Sequence, residues 1–248
     1  MLVAKRTCTN PSQVLNLTNW KLTLPTGAPG NPAEVAQPQL AGYPNSPNFF
    51  ANSNCSGVGF VAPVNGVTTS GSKYPRSELR EMVNNGHDNA NWSSTVGTHR
   101  ITVTEAFARL PAVKPQVVGL QIHDALDDIS TFRLEGTKLW ITNGDNSNFF
   151  LANGNYTLGT RFSAGYVVSG GQVKAYYNGR NVVTFPATFT GGYFKAGAYT
   201  QANCVNSVPC DGSNYGGTFL YALSVFHLNT TMPQIRMPTP PTAPKPPA

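Results

Sequence analysis

Three short segments of this 248-residue chain carry side chains able to bind anions and move protons, and all three follow one pattern. In Arg76-Ser77-Glu78-Leu79-Arg80, a strand turns Arg76, Glu78 and Arg80 to one face and Leu79 to the other, because successive strand side chains alternate. In Gln121-Ile122-His123, Gln121 and His123 share a face while Ile122 points to the core. In Tyr193-Phe194-Lys195-Ala196-Gly197-Ala198-Tyr199-Thr200-Gln201, the groups sharing a face are Lys195, Tyr199 and Gln201. Phe194, Ala196 and Ala198 pack beneath them, and Gly197 leaves open space between Lys195 and Tyr199. Any one segment reads equally as a solvated strand face, with Glu78 balancing Arg76 and Arg80 and His123 an ordinary histidine. Together they supply two guanidiniums, a lysine, two amides, an imidazole and a phenol. Such a surface suits a polyanionic sugar, and it holds an acid/base pair without needing two carboxylates.

Other chemistries lack their residues. There is no Gly-x-Ser-x-Gly elbow, phosphate loop or dinucleotide fingerprint, and no two histidines stand at metal-ligand spacing. The expectation is therefore no metal and no organic cofactor. A glycosidase of sandwich type needs two carboxylates facing one cleft. Glu78 and Glu81, three apart on a strand, face opposite sides, and the adjacent Asp127 and Asp128 diverge likewise. The formal charge of +6 arises from few acids, 11 against 17 bases, with no basic run. Neither a basic stripe nor a reading module for nucleic acid is present. No run approaches the ~20 apolar residues that span a bilayer.

The elements that must position these groups read as β. Charged residues are only 11% of the chain, and Gly (24) and Pro (20) are abundant, which disfavours helical bundles. Ile101, Val103 and Phe107 alternate with polar neighbours, as do Phe219, Tyr221, Leu223 and Val225. Asn178-Gly179 between strand-like runs is a hairpin signal, and Asn143-Gly144 and Asn153-Gly154 punctuate similarly. Many short strands at regular spacing imply a sandwich or jelly roll, with at most a few helical residues around Glu34 to Leu40. One domain over 1–236 is expected, followed by a Pro-rich tail or linker over 237–248 that cannot join a packed core.

Four cysteines fit two disulfides with three possible pairings. Cys204 and Cys210 bracket a short segment and are expected to pair, leaving Cys8 with Cys55. Sequons at Asn16, Asn54, Asn91, Asn155 and Asn229 fit a secretory route, so a secreted, extracellular protein is expected.

The three segments in this order resemble the signature blocks of polysaccharide lyase family 7, the alginate lyases. Those blocks are Tyr74-Pro75-Arg76-Ser77-Glu78-Leu79-Arg80-Glu81, then Gln121-Ile122-His123, then Tyr193 to Gln201. Trp20-Lys21-Leu22-Thr23-Leu24-Pro25 is similar to that family's opening strand, and the likeness covers about residues 14–228. Ala198 and Thr200 stand where the family varies. The resemblance implies an all-β jelly roll of two antiparallel sheets, the concave one forming a substrate groove.

It also implies a reaction. Alginate carries a carboxylate at C5 of each ring, and a lyase breaks the 4-O-linkage by β-elimination to give 4,5-unsaturated oligosaccharides. By resemblance, Arg76, Gln121 and His123 surround the carboxylate, and Tyr199 exchanges protons on the C5 and O4 side. Glu78 orients Arg76 or Arg80, while Arg80, Lys195 and Gln201 bind carboxylates or hydroxyls of neighbouring sugars. Ile122 accompanies guluronate acceptance in the family. The expected partner is alginate alone, bound by a monomer that cuts endolytically. Competing readings are a non-catalytic binding module for acidic polysaccharide, a sandwich glycoside hydrolase, and a lyase on another polyuronate.

Overall fold

The structure is a computed structural model and describes residues 7–228. Two antiparallel sheets face each other. The first runs, edge to edge, β11 (Asn146–Asn153), β10 (Lys138–Asn143), β9 (Asp128–Glu135), β8 (Gln116–His123), β15 (Tyr193–Thr200), β5 (Arg76–Val83), β1 (Trp20–Ala28) and β2 (Asn31–Val35). A two-residue strand, β6 (Asp88–Asn89), adds to β5. The second sheet runs β14 (Arg180–Pro186), β13 (Gln172–Tyr177), β12 (Phe162–Ser169), β7 (Thr98–Arg109), β16 (Tyr215–Leu228), β4 (Val58–Pro63) and β3 (Phe49–Ala51). Between them lies one apolar core to which Leu22, Leu79, Leu120, Ile122 and Phe194 contribute from the first sheet, and Phe60, Ile101, Val103 and Phe107 from the second. The jelly-roll expectation holds.

Local chemistry places the turns as expected. Asn178 and Gly179 both take positive φ, 49° and 78°, the geometry of a tight turn whose twist matches its flanking strands, and they join β13 to β14. Cys8 pairs with Cys55 and Cys204 with Cys210. The helix expected around Glu34 to Leu40 reduces to a 3-10 turn at Gln39–Gly42, since Glu34 belongs to β2. The β16 alternation also needs correcting. Leu220 is fully buried and Phe219 and Tyr221 are not, because a bulge between Leu220 and Ala222 changes the strand's parity. Beyond the bulge, Leu223 and Val225 do pack on the core.

The expected tail 237–248 and the sequon at Asn229 lie outside the described residues. The other four sequon asparagines are exposed. Among the described residues no helix is long and apolar enough to cross a membrane, and no three His, Cys, Asp or Glu side chains gather as a metal site.

Candidate active site

β8, β15 and β5 are neighbours at the centre of the first sheet, which brings the three polar segments together although they lie far apart in the chain. Register then fixes the rows: Tyr193 stands opposite His123, Lys195 between Gln121 and Arg80, and Tyr199 opposite Arg76. They line a groove of about 350 Å³ together with Lys21 and Thr23 from β1, Glu34 from the edge strand β2, and residues of two loops. One loop gives Thr69, Gly71 and Ser72, the other Leu126 and Asp127. A larger hollow of about 740 Å³ beside the first 3-10 turns has His87 as its only titratable lining group, which leaves it without an acid/base pair.

Gly197 is required for a reason other than open space. Its φ is +146°, and a Cβ there would stand 2.6 Å from the Ser77 carbonyl oxygen and 2.9 Å from Phe60, on the core side. The β8–β15 register shifts between Ala196 and Tyr199 at this point. The missing side chain lets β15 lie close against β5, whose pairing runs unbroken from Lys195 to Tyr199, so that Lys195 and Tyr199 face the groove while Ala196 and Ala198 are fully buried beneath.

Glu78 is the hub of the floor. It has no exposed surface, so it supports a ligand only through its neighbours. Its Oε2 accepts from Lys195 Nζ at 2.7 Å and Arg76 Nη1 at 3.2 Å, and its Oε1 from Gln121 Nε2 at 2.5 Å. Burial alone would raise its pKa, but Lys195, Arg76 and these hydrogen bonds outweigh burial and hold the carboxylate below its ordinary value. Lys195 feels burial more than it feels Glu78 and is pulled down to about 8. Arg80 is held by the carbonyls of Glu81 (2.6 Å) and Ala90 (3.4 Å).

The acid/base candidates sit above this floor. Nδ1 of His123 is 2.7 Å from the Asp124 carbonyl oxygen. A carbonyl only accepts, so in the neutral ring Nδ1 carries the proton and Nε2 keeps its lone pair. Burial, with Lys195 and Arg76 nearby, lowers the His123 pKa and favours that neutral ring. Tyr199 lies under the Arg76 guanidinium, 3.9 Å from ring centroid to Cζ, and its hydroxyl is 2.8 Å from Ser72 Oγ.

Six of the eight expected site residues therefore line the groove: Arg76, Arg80, Gln121, His123, Lys195 and Tyr199. Glu78 lies under it. Gln201 does not line it; it follows the end of β15, and its side-chain nitrogen is buried without a hydrogen-bond partner. Asp127 and Asp128 correct a second expectation, since both line the groove. Asp127 belongs to the loop, where strand alternation does not apply, and only Asp128 begins β9.

Tyr193 also lines the groove, on the face where its shared parity with Lys195 puts it, although it is not among the expected site residues. Its ring stacks on His123 at 5.2 Å and 19°, its hydroxyl is 3.1 Å from His123 Nδ1, and Arg80 covers its ring at 4.0 Å. Ser72 and Leu126 come from loops and give no periodic signal.

Comparison with known proteins agrees with this geometry. A family model described as alginate lyase matches residues 15–227. The fold superposes on the alginate lyase from Corynebacterium sp. with a TM-score of 0.87 and 55% identity, covering 90% of this chain and 100% of that one. It is similar to AlgAT5, an alginate lyase of polysaccharide lyase family 7, with TM-score 0.83, 44% identity, and 89% and 99% covered. A family 7 alginate lyase called A1-II′ gives TM-score 0.77 and 25% identity, covering 90% and 98%; that structure is a His→Asn, Tyr→Phe double variant in complex with substrate GGMG. An alginate lyase of Klebsiella pneumoniae is 39% identical over 80 residues, 31% of this chain, and the match spans 26% of that relative's length.

Proposed function

The chain belongs to the alginate lyases of polysaccharide lyase family 7, and on that premise we propose that it depolymerises alginate by β-elimination in the groove of the first sheet. The observation that carries the reading is a neutral His123 and the phenol of Tyr199 standing over cations and an amide gathered on one buried carboxylate.

The C5 proton of a uronate is hard to remove because the adjacent carboxylate is already negative. Arg76, Gln121 and Lys195 offset that charge as the carbanion-like state develops; preorganised donors of this kind are worth about 10²–10³ in rate each. In guluronate the C5 hydrogen and O4 lie on opposite sides. His123 Nε2 takes the proton, the C5 electron pair forms the C4–C5 double bond, the C4–O4 bond breaks, and Tyr199 protonates O4. In mannuronate both leave from one side: Tyr199, entering as the phenolate after its proton has gone to solvent, takes the C5 proton and returns it to O4 as the C4–O4 bond breaks. The substrate-bound relative is a variant lacking one histidine and one tyrosine, the two residue types assigned here. Its ligand and the buried Ile122 favour guluronate-containing chains as substrates.

The groove crosses six adjacent strands, from β9 through β8, β15, β5 and β1 to β2, whose five spacings of about 4.8 Å span roughly 24 Å. That length takes more than one sugar and supports endolytic cutting, and the supply of every lining residue by one chain fits a monomer. The lyase unit is the 1–236 domain, and the two disulfides and exposed sequons fit a secreted protein.

Ultraviolet absorbance of the new double bond, followed on separate polymannuronate and polyguluronate, tests the reading. Wild type raises it on at least one polymer, faster on polyguluronate, and Tyr199→Phe loses about 10²–10⁴ of the rate. Flat traces with binding retained would support the binding-module reading instead.

A further inference from the structure

The loop between β4 and β5 is fastened at several points. Thr69 bridges to Gly30, Ser72 N donates to the Thr69 carbonyl at 3.0 Å, Asn203 Nδ2 donates to the Lys73 carbonyl at 3.1 Å, and Lys114 Nζ donates to Tyr74 Oη at 2.7 Å. The loop so held presents one hydroxyl, Ser72 Oγ, to Tyr199 Oη at 2.8 Å. Among the described residues Ser72 is the only hydrogen-bond partner of that phenol oxygen.

The valence of Ser72 limits what it can do. A hydroxyl has one proton and two lone pairs. Tyr74 N donates to Oγ at 3.1 Å, which occupies one lone pair. Two oxygens remain within reach, Tyr199 Oη at 2.8 Å and the Tyr74 carbonyl at 3.3 Å. While the phenol holds its proton, it donates to Ser72 Oγ and Ser72 donates to the Tyr74 carbonyl. Once the phenol has given its proton to O4, Ser72 turns its O–H onto the phenolate oxygen. Both states are satisfied by rotation about one side-chain bond, with no movement of the loop.

We infer that Ser72 is a positioning residue for Tyr199, fixing the phenol oxygen and exchanging acceptor for donor as the phenol changes protonation. The inference rests on the proposed acid/base role of Tyr199. Arg76 complements it, since the guanidinium over the ring sets the ring plane while Ser72 sets where the oxygen points.

The test is steady-state kinetics on polyguluronate for Ser72→Ala, Ser72→Thr and Tyr199→Phe, and for the Ser72→Ala/Tyr199→Phe pair, each checked by melting temperature. Ser72→Ala lowers kcat about tenfold with KM nearly unchanged, the size of one hydrogen bond to a developing charge. Ser72→Thr, which keeps the hydroxyl, restores kcat. Ser72→Ala adds nothing in the Tyr199→Phe background. If the alanine variant melts early, Ser72→Cys, which fills the same space with a weak donor, must show the same loss of kcat. An unchanged kcat, or a raised KM with kcat intact, overturns the positioning role while an inactive Tyr199→Phe leaves the lyase reading standing. Wild-type activity in Tyr199→Phe overturns the acid/base role of Tyr199, and with it the inference, while the chain remains a lyase.

Discussion

Glu78 in the first sheet and Glu105 in the second have no exposed surface, yet they are held in opposite charge states. Glu78 has Lys195, Arg76 and Gln121 within hydrogen-bond reach, and its pKa is lowered. Neither oxygen of Glu105 has a partner among the described residues, and burial raises its pKa to about 8. It occupies the inward row of β7 with Ile101, Val103 and Phe107, and reaches across the core to β8. There a Cβ added to Gly119 would stand 2.4 Å from its Oε2. Equal burial thus yields a fixed anion that organises cations in one place and a neutral acid in the other. What decides between them is the company across the strand, because an unpaired buried charge costs far more than a paired one.

The sharpest way to break the contrast is Glu78→Gln, which keeps the shape and removes the charge. Lys195 and Arg76 then lose their shared anion and repel each other, and kcat/KM is expected to fall about 10²–10³-fold while the β fold survives. A circular dichroism spectrum beside the rate separates the two effects.

Glu105→Gln acts on stability alone. The folded pKa of Glu105 lies above its ordinary value, so its stabilising contribution is full below pH 4.5 and is lost as pH rises toward about 8. By pH 7 that loss is roughly 3 kcal/mol, at about 1.4 kcal/mol per unit. Denaturant melts from pH 5 to 8 should show the wild type weakening and the glutamine variant nearly level. Glu78 has the opposite sign: its contribution is present above pH 4.5 and lost as pH falls through its lowered folded value. Removing it should therefore flatten the acid side of the same curve.

The smallest expected effect is on the alkaline limb of activity. Lys195 loses its charge near pH 8, and with it part of the floor's positive potential. Lys195→Arg keeps a cation at every working pH and should carry activity further into the alkaline range, at some cost in rate from the altered shape. A pH profile of kcat/KM for the two proteins reads this directly. Identical alkaline limbs would remove Lys195 from the charge balance.

The groups that touch the groove were largely legible because period-two alternation states which side chains share a face, and His123, Lys195 and Tyr199 stand on such faces. The same rule places the Glu105 carboxylate at the inward beat between Val103 and Phe107. Gln201 failed for the reverse reason, since it lies beyond the last paired residue of β15, where alternation no longer governs direction.

From the sequence alone came the β class, the turn at Asn178-Gly179, the Cys204–Cys210 disulfide with Cys8–Cys55 as the pair left over, and the polar strand faces, which depend on neighbours near in the chain, on elimination or on simple parity. The tertiary structure decided what each face looks upon. β5, β8 and β15 are brought side by side by long-range pairing, and only that pairing makes Glu78 a hub and Glu105 an isolated acid, or sets Ser72 on Tyr199. A charge state and a hydrogen-bond role belong to a neighbourhood, and for these residues the neighbours lie tens of positions away in the chain.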